Sequence, residues 1–149
     1  MNTASAAADT VVQEITIRAP ASRVFEAFTS PSERVKWWNA EGRFHTTHVD
    51  SDLRPGGRWV MRGTRPNGEP FTVKGEYRVV ERPTLLAFTW LPDWQDDAIE
   101  SLVRVEFTEI EGETHVRLTH SGLASESSRA SHRGWPQILS CLCAFVEGQ

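Results

Sequence analysis

Gly134-Trp135-Pro136-Gln137-Ile138-Leu139-Ser140-Cys141-Leu142-Cys143-Ala144-Phe145-Val146 is the stretch whose reading decides the fold. At about 100° per residue, with Trp135 at zero, Ile138, Leu139, Leu142, Phe145 and Val146 fall within about 60–80° of it. Gln137, Ser140 and Glu147 lie on the other side. This is one apolar stripe with a Trp at its head, and a stripe that wide must cover something. Pro136 removes a backbone donor, so a kink or restart is expected there. Ser125-Glu126-Ser127-Ser128 opens the helical region that leads into it.

What the helix covers is read from the strands before it. Arg43–Val49, Arg58–Gly63, Phe71–Val80, Leu85–Leu91, Ser101–Glu109 and Thr114–His120 each read as a strand, separated by turns such as Pro55-Gly56-Gly57, Pro66-Asn67-Gly68 and Glu111-Gly112. Hairpin-length links between the later strands exclude a parallel sheet, which needs long crossovers. Strand parity puts Trp59, Met61, Phe71, Val73, Gly75, Tyr77, Val79, Leu86, Phe88, Trp90, Val103, Val105, Phe107, Val116, Leu118 and His120 on one face. Arg58, Arg62, Lys74, Glu76, Arg78, Arg104, Glu106, His115 and Arg117 lie on the other. One face is wet and the other aromatic.

Further back, Val11–Arg18 alternates as a half-buried strand. Ser22–Thr29 places Val24, Phe25 and Phe28 at helical spacing. Ser30-Pro31-Ser32-Glu33 has Ser at N-cap, Pro at N1 and Glu at N3, the start of a second short helix running into Trp37-Trp38. The expected class is α+β: an antiparallel sheet wrapped around a long C-terminal helix, with two short helices after strand 1. Such a sheet gripping one helix implies a cavity between them. Residues 1–10, rich in Ala, Ser and Thr, read as a flexible tail, and 11–149 as a single domain.

Composition narrows the partners. The chain has 149 residues and a formal charge of −4, which argues against nucleic acid or an anionic membrane. No apolar run reaches membrane-spanning length. Cys141 and Cys143 would point about 200° apart on a helix, so they neither pair nor share a metal. Unpaired thiols suit a cytoplasmic location.

A set of short motifs, in order, resembles one family. Ala19-Pro20 with Val24-Phe25, Pro31 followed by Trp37-Trp38, Gly56-Gly57 before a strand, Pro66-Asn67-Gly68, Gly75-Glu76-Tyr77, Phe88-Thr89-Trp90, Thr119-His120-Ser121-Gly122 and Gly134-Trp135-Pro136 span about residues 12 to 147. The chain resembles the activator of Hsp90 ATPase homologue 1-like family, in its C-terminal domain type, within the START/Bet v 1-like (SRPBCC) superfamily. The resemblance implies the helix-grip fold and a cavity between the sheet and the last helix. It also brings an Hsp90-type chaperone into view as a partner. The co-chaperone carries a separate N-terminal domain where this chain shows only a short tail, which argues against Hsp90 activation.

Tested residue by residue, the sequence shows no catalytic constellation. His45-Thr46-Thr47-His48 could suggest a metal pair, but positions three apart on a strand face opposite sides. These read as surface or half-buried histidines, and no metal or other cofactor is expected. Glu76 and Glu106 point outward, leaving no paired carboxylates inside. Ser121 follows His120 directly, and neighbours on a strand point apart. Gly56-Gly57 reads as a tight turn, with no phosphate-loop pattern around it. His120 falls among the aromatic residues, either as an imidazole that orients a ligand or acts as a base, or as a buried histidine satisfied by a backbone partner.

The expected function is therefore the binding of a small apolar or amphipathic molecule between the sheet and the C-terminal helix. Its expected site is Trp38, Trp59, Met61, Tyr77, Phe88, Trp90, Val103, His120, Trp135 and Leu139. A protein-interaction or co-chaperone-like module, including a homodimer, is the second reading. It would use the wet face or the acidic loop Pro92–Glu100 around Trp94. A polyketide cyclase/hydratase-like enzyme, a role the wider superfamily implies, is the third. A cavity closed by large side chains would favour the second, and an inward carboxylate or water-activating pair beside His120 the third.

Overall fold

The computed structural model describes residues 10–40, 44–93, 100–123 and 135–148. The tail before residue 10, the Trp94 part of the acidic loop, Gly134 and the Ser125–Ser128 opening of the last helical region lie outside them. In chain order the elements are β1 (Val11–Ile17), α1 (Ala21–Thr29), α2 (Pro31–Trp37), β2 (Asn39–Ala40), β3 (Phe44–Ser51), β4 (Arg58–Thr64), β5 (Pro70–Glu81), β6 (Leu85–Pro92), β7 (Ser101–Ile110), β8 (Glu113–Ser121) and α3 (Trp135–Glu147).

The strands form one sheet in the order β1-β8-β7-β6-β5-β4-β3-β2, and every pairing is antiparallel. α3 packs against β1 and β2, the two outermost strands. The sheet therefore curls until both edges reach the same helix, and two exposed edges become walls of one enclosure. The apolar stripe of α3 supplies the inner surface: Trp135, Ile138, Leu139, Leu142 and Val146 are buried. Pro136 sits in the first turn of α3, where its missing N–H costs no helix bond.

The two short helices close the enclosure. Val24, Phe25 and Phe28 are buried on one face of α1. Phe28 meets the rings of Trp37, Trp38, Phe88 and Phe107. The Trp37 indole donates to the Ala27 carbonyl at 2.8 Å, tying α2 to α1. Pro31 opens α2 as expected, but the capping box does not form. Ser30 Oγ meets Ser32 Oγ at 3.1 Å instead, and Glu33 pairs with Arg23 at 2.7 Å. A cation on the preceding helix outcompetes the backbone N–H for that carboxylate.

Two β-bulges change the expected parity. One lies between Thr46 and His48. It leaves Thr46 and Val49 buried and both His45 and His48 exposed. The expectation that these histidines face opposite sides is thus overturned, because a bulge adds a residue to one strand and resets the alternation. His48 Nε2 pairs with Asp50 at 2.7 Å. The other bulge lies between Tyr77 and Val79. Beyond it Val80, not Val79 as parity implied, packs against the core.

Glu147 clasps the end of α3 to the end of β1. Its carboxylate accepts the Arg18 backbone N–H at 2.8 Å and the Arg18 guanidinium at 3.3 Å, and Cys143 donates at 3.3 Å. The Arg18 backbone N–H, with these other donors, holds the Glu147 carboxyl below its ordinary 4.5. A depressed folded value means the clasp stabilises above about pH 4.5 and is lost as pH falls through the folded value. Glu147→Gln should therefore melt slightly lower than the parent at pH 7, and the gap should close on acidification. A gap that persists or widens toward pH 3 would show that the charge is not the source.

Candidate functional site

The interior between sheet and α3 is built on a cross-strand row. Val11, His120, Val103, Phe88 and Tyr77 are successive partners across β1, β8, β7, β6 and β5. Side chains in such a row share a face, so His120 stands beside the aromatic residues of β6. On β4, Trp59 pairs with Gly75 of β5. A Cβ at Gly75 would run into the Thr89 carbonyl and stand 2.8 Å from Trp59 Nε1. The absent side chain is what lets the Trp59 indole lie close to β5.

All ten residues expected at the site are buried, and the indoles converge. Trp90 is 5.3 Å from Trp135, 5.7 Å from Trp59 and 6.3 Å from Trp38, measured between ring centroids. Trp38 is 5.7 Å from Trp135. Phe88 lies 5.5 Å from Trp59 and 6.2 Å from Tyr77. Each of the four indoles comes from a different part of the chain: the end of α2, β4, β6 and the head of α3. Met61, Val103 and Leu139 complete the same buried cluster.

His120 is fully engaged. The Trp135 indole donates to its Nδ1 at 3.1 Å, and Ser101 Oγ lies 2.7 Å from its Nε2. An indole N–H can only donate, so Nδ1 must accept and the ring proton sits on Nε2. Nε2 then donates to Ser101, whose hydroxyl donates to the Trp90 carbonyl at 3.3 Å. The Ser101–His120 contact has the reach of a nucleophile–base pair but the wrong polarity. A base must present a bare Nε2 to the hydroxyl, with Nδ1 donating to its orienting group. Here the relation is reversed. The chain of hydrogen bonds pins α3 to β7 and β8.

Ser101 was not anticipated, because its place opposite Trp90 follows from the β6–β7 register alone. Arg34 was missed too, and it matters more. It is 3 % exposed. Its guanidinium lies 4.6 Å from the Trp38 ring and 5.3 Å from the Trp59 ring, and Nη2 is 3.1 Å from Met61 Sδ. Burial pushes its pKa down, with the Tyr77 hydroxyl beside it pulling the other way. Arg34 Nε and Trp59 Nε1 are buried without a hydrogen-bond partner among the described residues. A signal did exist: Arg34, Trp37 and Trp38 stand at i, i+3 and i+4, one helical face.

The buried polar residues described are Thr29, Arg34, Thr46, Thr89, Ser101, Thr114 and His120, a set without a carboxylate. Among the described residues no three His, Cys, Asp or Glu side chains are grouped to hold a metal ion. No helix among them is long and apolar enough to cross a membrane. On the outer face a groove of about 460 Å³ runs over Asp50, Arg58, Lys74, Glu76, Leu91 and Glu100. Its charges are of both signs, so it selects neither anions nor cations.

Residues 18–147 match the family described as activator of Hsp90 ATPase homolog 1-like protein. No curated protein matches the chain by sequence. Among solved structures, protein CV1439 from Chromobacterium violaceum superposes with a TM-score of 0.82 at 22% identity, covering 94% of this chain and 98% of that one. Protein Ms6760 from Mycobacterium smegmatis gives 0.78 at 24% identity, with 94% and 89% covered. An AHSA1-like protein from Aeromonas hydrophila gives 0.78 at 28% identity, with 93% and 92% covered.

Proposed function

This chain belongs to the activator of Hsp90 ATPase homolog 1-like family, and from that membership we propose that it binds a small, largely apolar molecule among the indoles between the sheet and α3. The observation that carries the reading is the convergence of Trp38, Trp59, Trp90 and Trp135 from four separate elements onto one place. A core needing only stability is filled more simply by aliphatic side chains, since every buried indole brings an N–H that must find a partner. Large, rigid ring faces instead supply contact area for a planar or acyl ligand at low entropic cost. The rings touch one another, so ligand contacts replace ring–ring contacts.

Titration with the neutral fluorophore N-phenyl-1-naphthylamine tests this. Binding should saturate at one molecule per chain, quench Trp emission by energy transfer, and be competed by decanol. Ligand at about 100 times its Kd should raise stability by about 2.7 kcal/mol. A linear, unsaturating response to both compounds, with no thermal shift, would contradict the reading.

A further inference from the structure

The ring cluster contains a charge it does not need for packing. Arg34 is 3 % exposed, and the polar residues buried with it include no Asp or Glu. Two indole faces at 4.6 and 5.3 Å, a thioether at 3.1 Å and the Tyr77 hydroxyl are its neighbours. Met61 Sδ and the Tyr77 hydroxyl take part of its donor set, but neither carries a full opposite charge, and desolvating the ion costs several times what one cation–π contact returns. Nε indeed has no acceptor among the described residues. Neither does the indole N–H of Trp59, one of the two rings that flank it. Two buried donors in one neighbourhood, one of them charged, call for an acceptor that the described residues do not supply.

We propose that Arg34 receives the anionic head of the bound molecule, so that the ligand class is amphipathic carboxylic acids. One carboxylate oxygen accepts from Arg34 Nε and the other from Trp59 Nε1, while the apolar body lies against Trp38, Trp90 and Phe88. A carboxylate fits better than a phosphate monoester. It carries one negative charge against one guanidinium, whereas a phosphate brings about −1.5 to −2 into a buried site with a single cation. Arg34 lies against Trp38, Trp59 and Met61, and His120 against Trp90 and Trp135, so the ligand head and the α3 pin use different polar side chains. This inference rests on the indole cluster being the ligand site.

The test separates the two ideas by comparing decanoic acid, decanol and decyl phosphate on the parent protein and on Arg34→Met, which keeps much of the volume and removes the charge. The parent should prefer decanoic acid to decanol by about 10- to 100-fold, the range set by a charge-assisted hydrogen bond, and decyl phosphate should fall below decanoic acid. Arg34→Met should lose that preference, binding acid and alcohol about equally, while still binding decanol saturably. Should the variant fail to fold, the parent's acid-to-alcohol ratio decides alone, backed by Trp59→Phe, which removes the second donor and should lower that ratio, whatever the lost ring area costs both compounds. Equal binding of acid and alcohol by the parent overturns the carboxylate assignment and leaves the apolar site standing. An acid preference unchanged in Arg34→Met overturns the role of Arg34. Absence of binding by all three compounds overturns both ideas.

Discussion

Trp135→Ala is expected to lower the unfolding free energy by about 3–5 kcal/mol, the range for truncating a large buried ring. Trp135 heads α3, is 2 % exposed, and contacts the rings of Trp38, Trp90 and His120. Its removal opens a cavity at the point where the helix meets the sheet, and the ring framework around it cannot collapse freely. The substitution also strips the donor from His120 Nδ1. Trp135→Phe separates the two effects. It keeps most of the apolar area and should cost about 1–3 kcal/mol, the desolvation penalty of the stranded acceptor. Urea unfolding followed by far-ultraviolet circular dichroism gives both values. In a double-mutant cycle, His120→Ala should couple to Trp135→Phe because the two share one hydrogen bond. A loss below about 1 kcal/mol for Trp135→Ala, the level of an ordinary surface change, would mean that the head of α3 is not seated on the sheet.

Gly75→Ala should destabilise by about 1–3 kcal/mol or more, although it adds only one methyl group. The new Cβ would collide with the Thr89 carbonyl, a backbone atom of β6 whose residue is paired to Leu102 of β7, and crowd Trp59 Nε1. A flexible side chain could swing away, but the carbonyl cannot without breaking the ladder. The Trp59 indole would be displaced as well, so the near-ultraviolet dichroism of the Trp residues should change with the stability. A shift of the urea midpoint at unchanged m reads the effect. Parent-like stability with an unaltered near-ultraviolet signal would contradict the close approach of β6 to Gly75.

The elements and the inward rows were legible because hydrophobic alternation is a local property. The run from Trp59 to His120 needed only strand parity, and the stripe of α3 only its helical period. Legibility failed where a distant partner decides the outcome. The bulges at Thr46/His48 and Tyr77/Val79 are set by pairing with β4 and β6, so nothing in FHTTHVDS announces that both histidines turn outward. The Glu33 carboxylate left the N-cap for Arg23, on the neighbouring helix. Arg34 is the sharpest instance. A basic residue in the last turn of a short helix reads as solvated, and only the fold brings Trp59 and Met61 of β4 to it. The polarity of the His120–Ser101 pair likewise depends on Trp135, a residue of α3 that packs on it from outside the sheet.

Entry of a ligand into the ring cluster is reported directly by the indole N–H resonances of the folded protein. In a nitrogen–proton correlation spectrum titrated with decanoic acid, the Nε1–H signal of Trp59 should move most, because it passes from no acceptor among the described residues to a carboxylate oxygen. Those of Trp38, Trp90 and Trp135 should move with ring displacement. The indole of Trp37 keeps its bond to the Ala27 carbonyl and, 5.1 Å from the Trp38 ring, should move less than that of Trp59. Shifts confined to backbone amides around Arg58, Lys74 and Leu91, with the four indole signals unmoved, would place any binding in the outer groove and contradict the account.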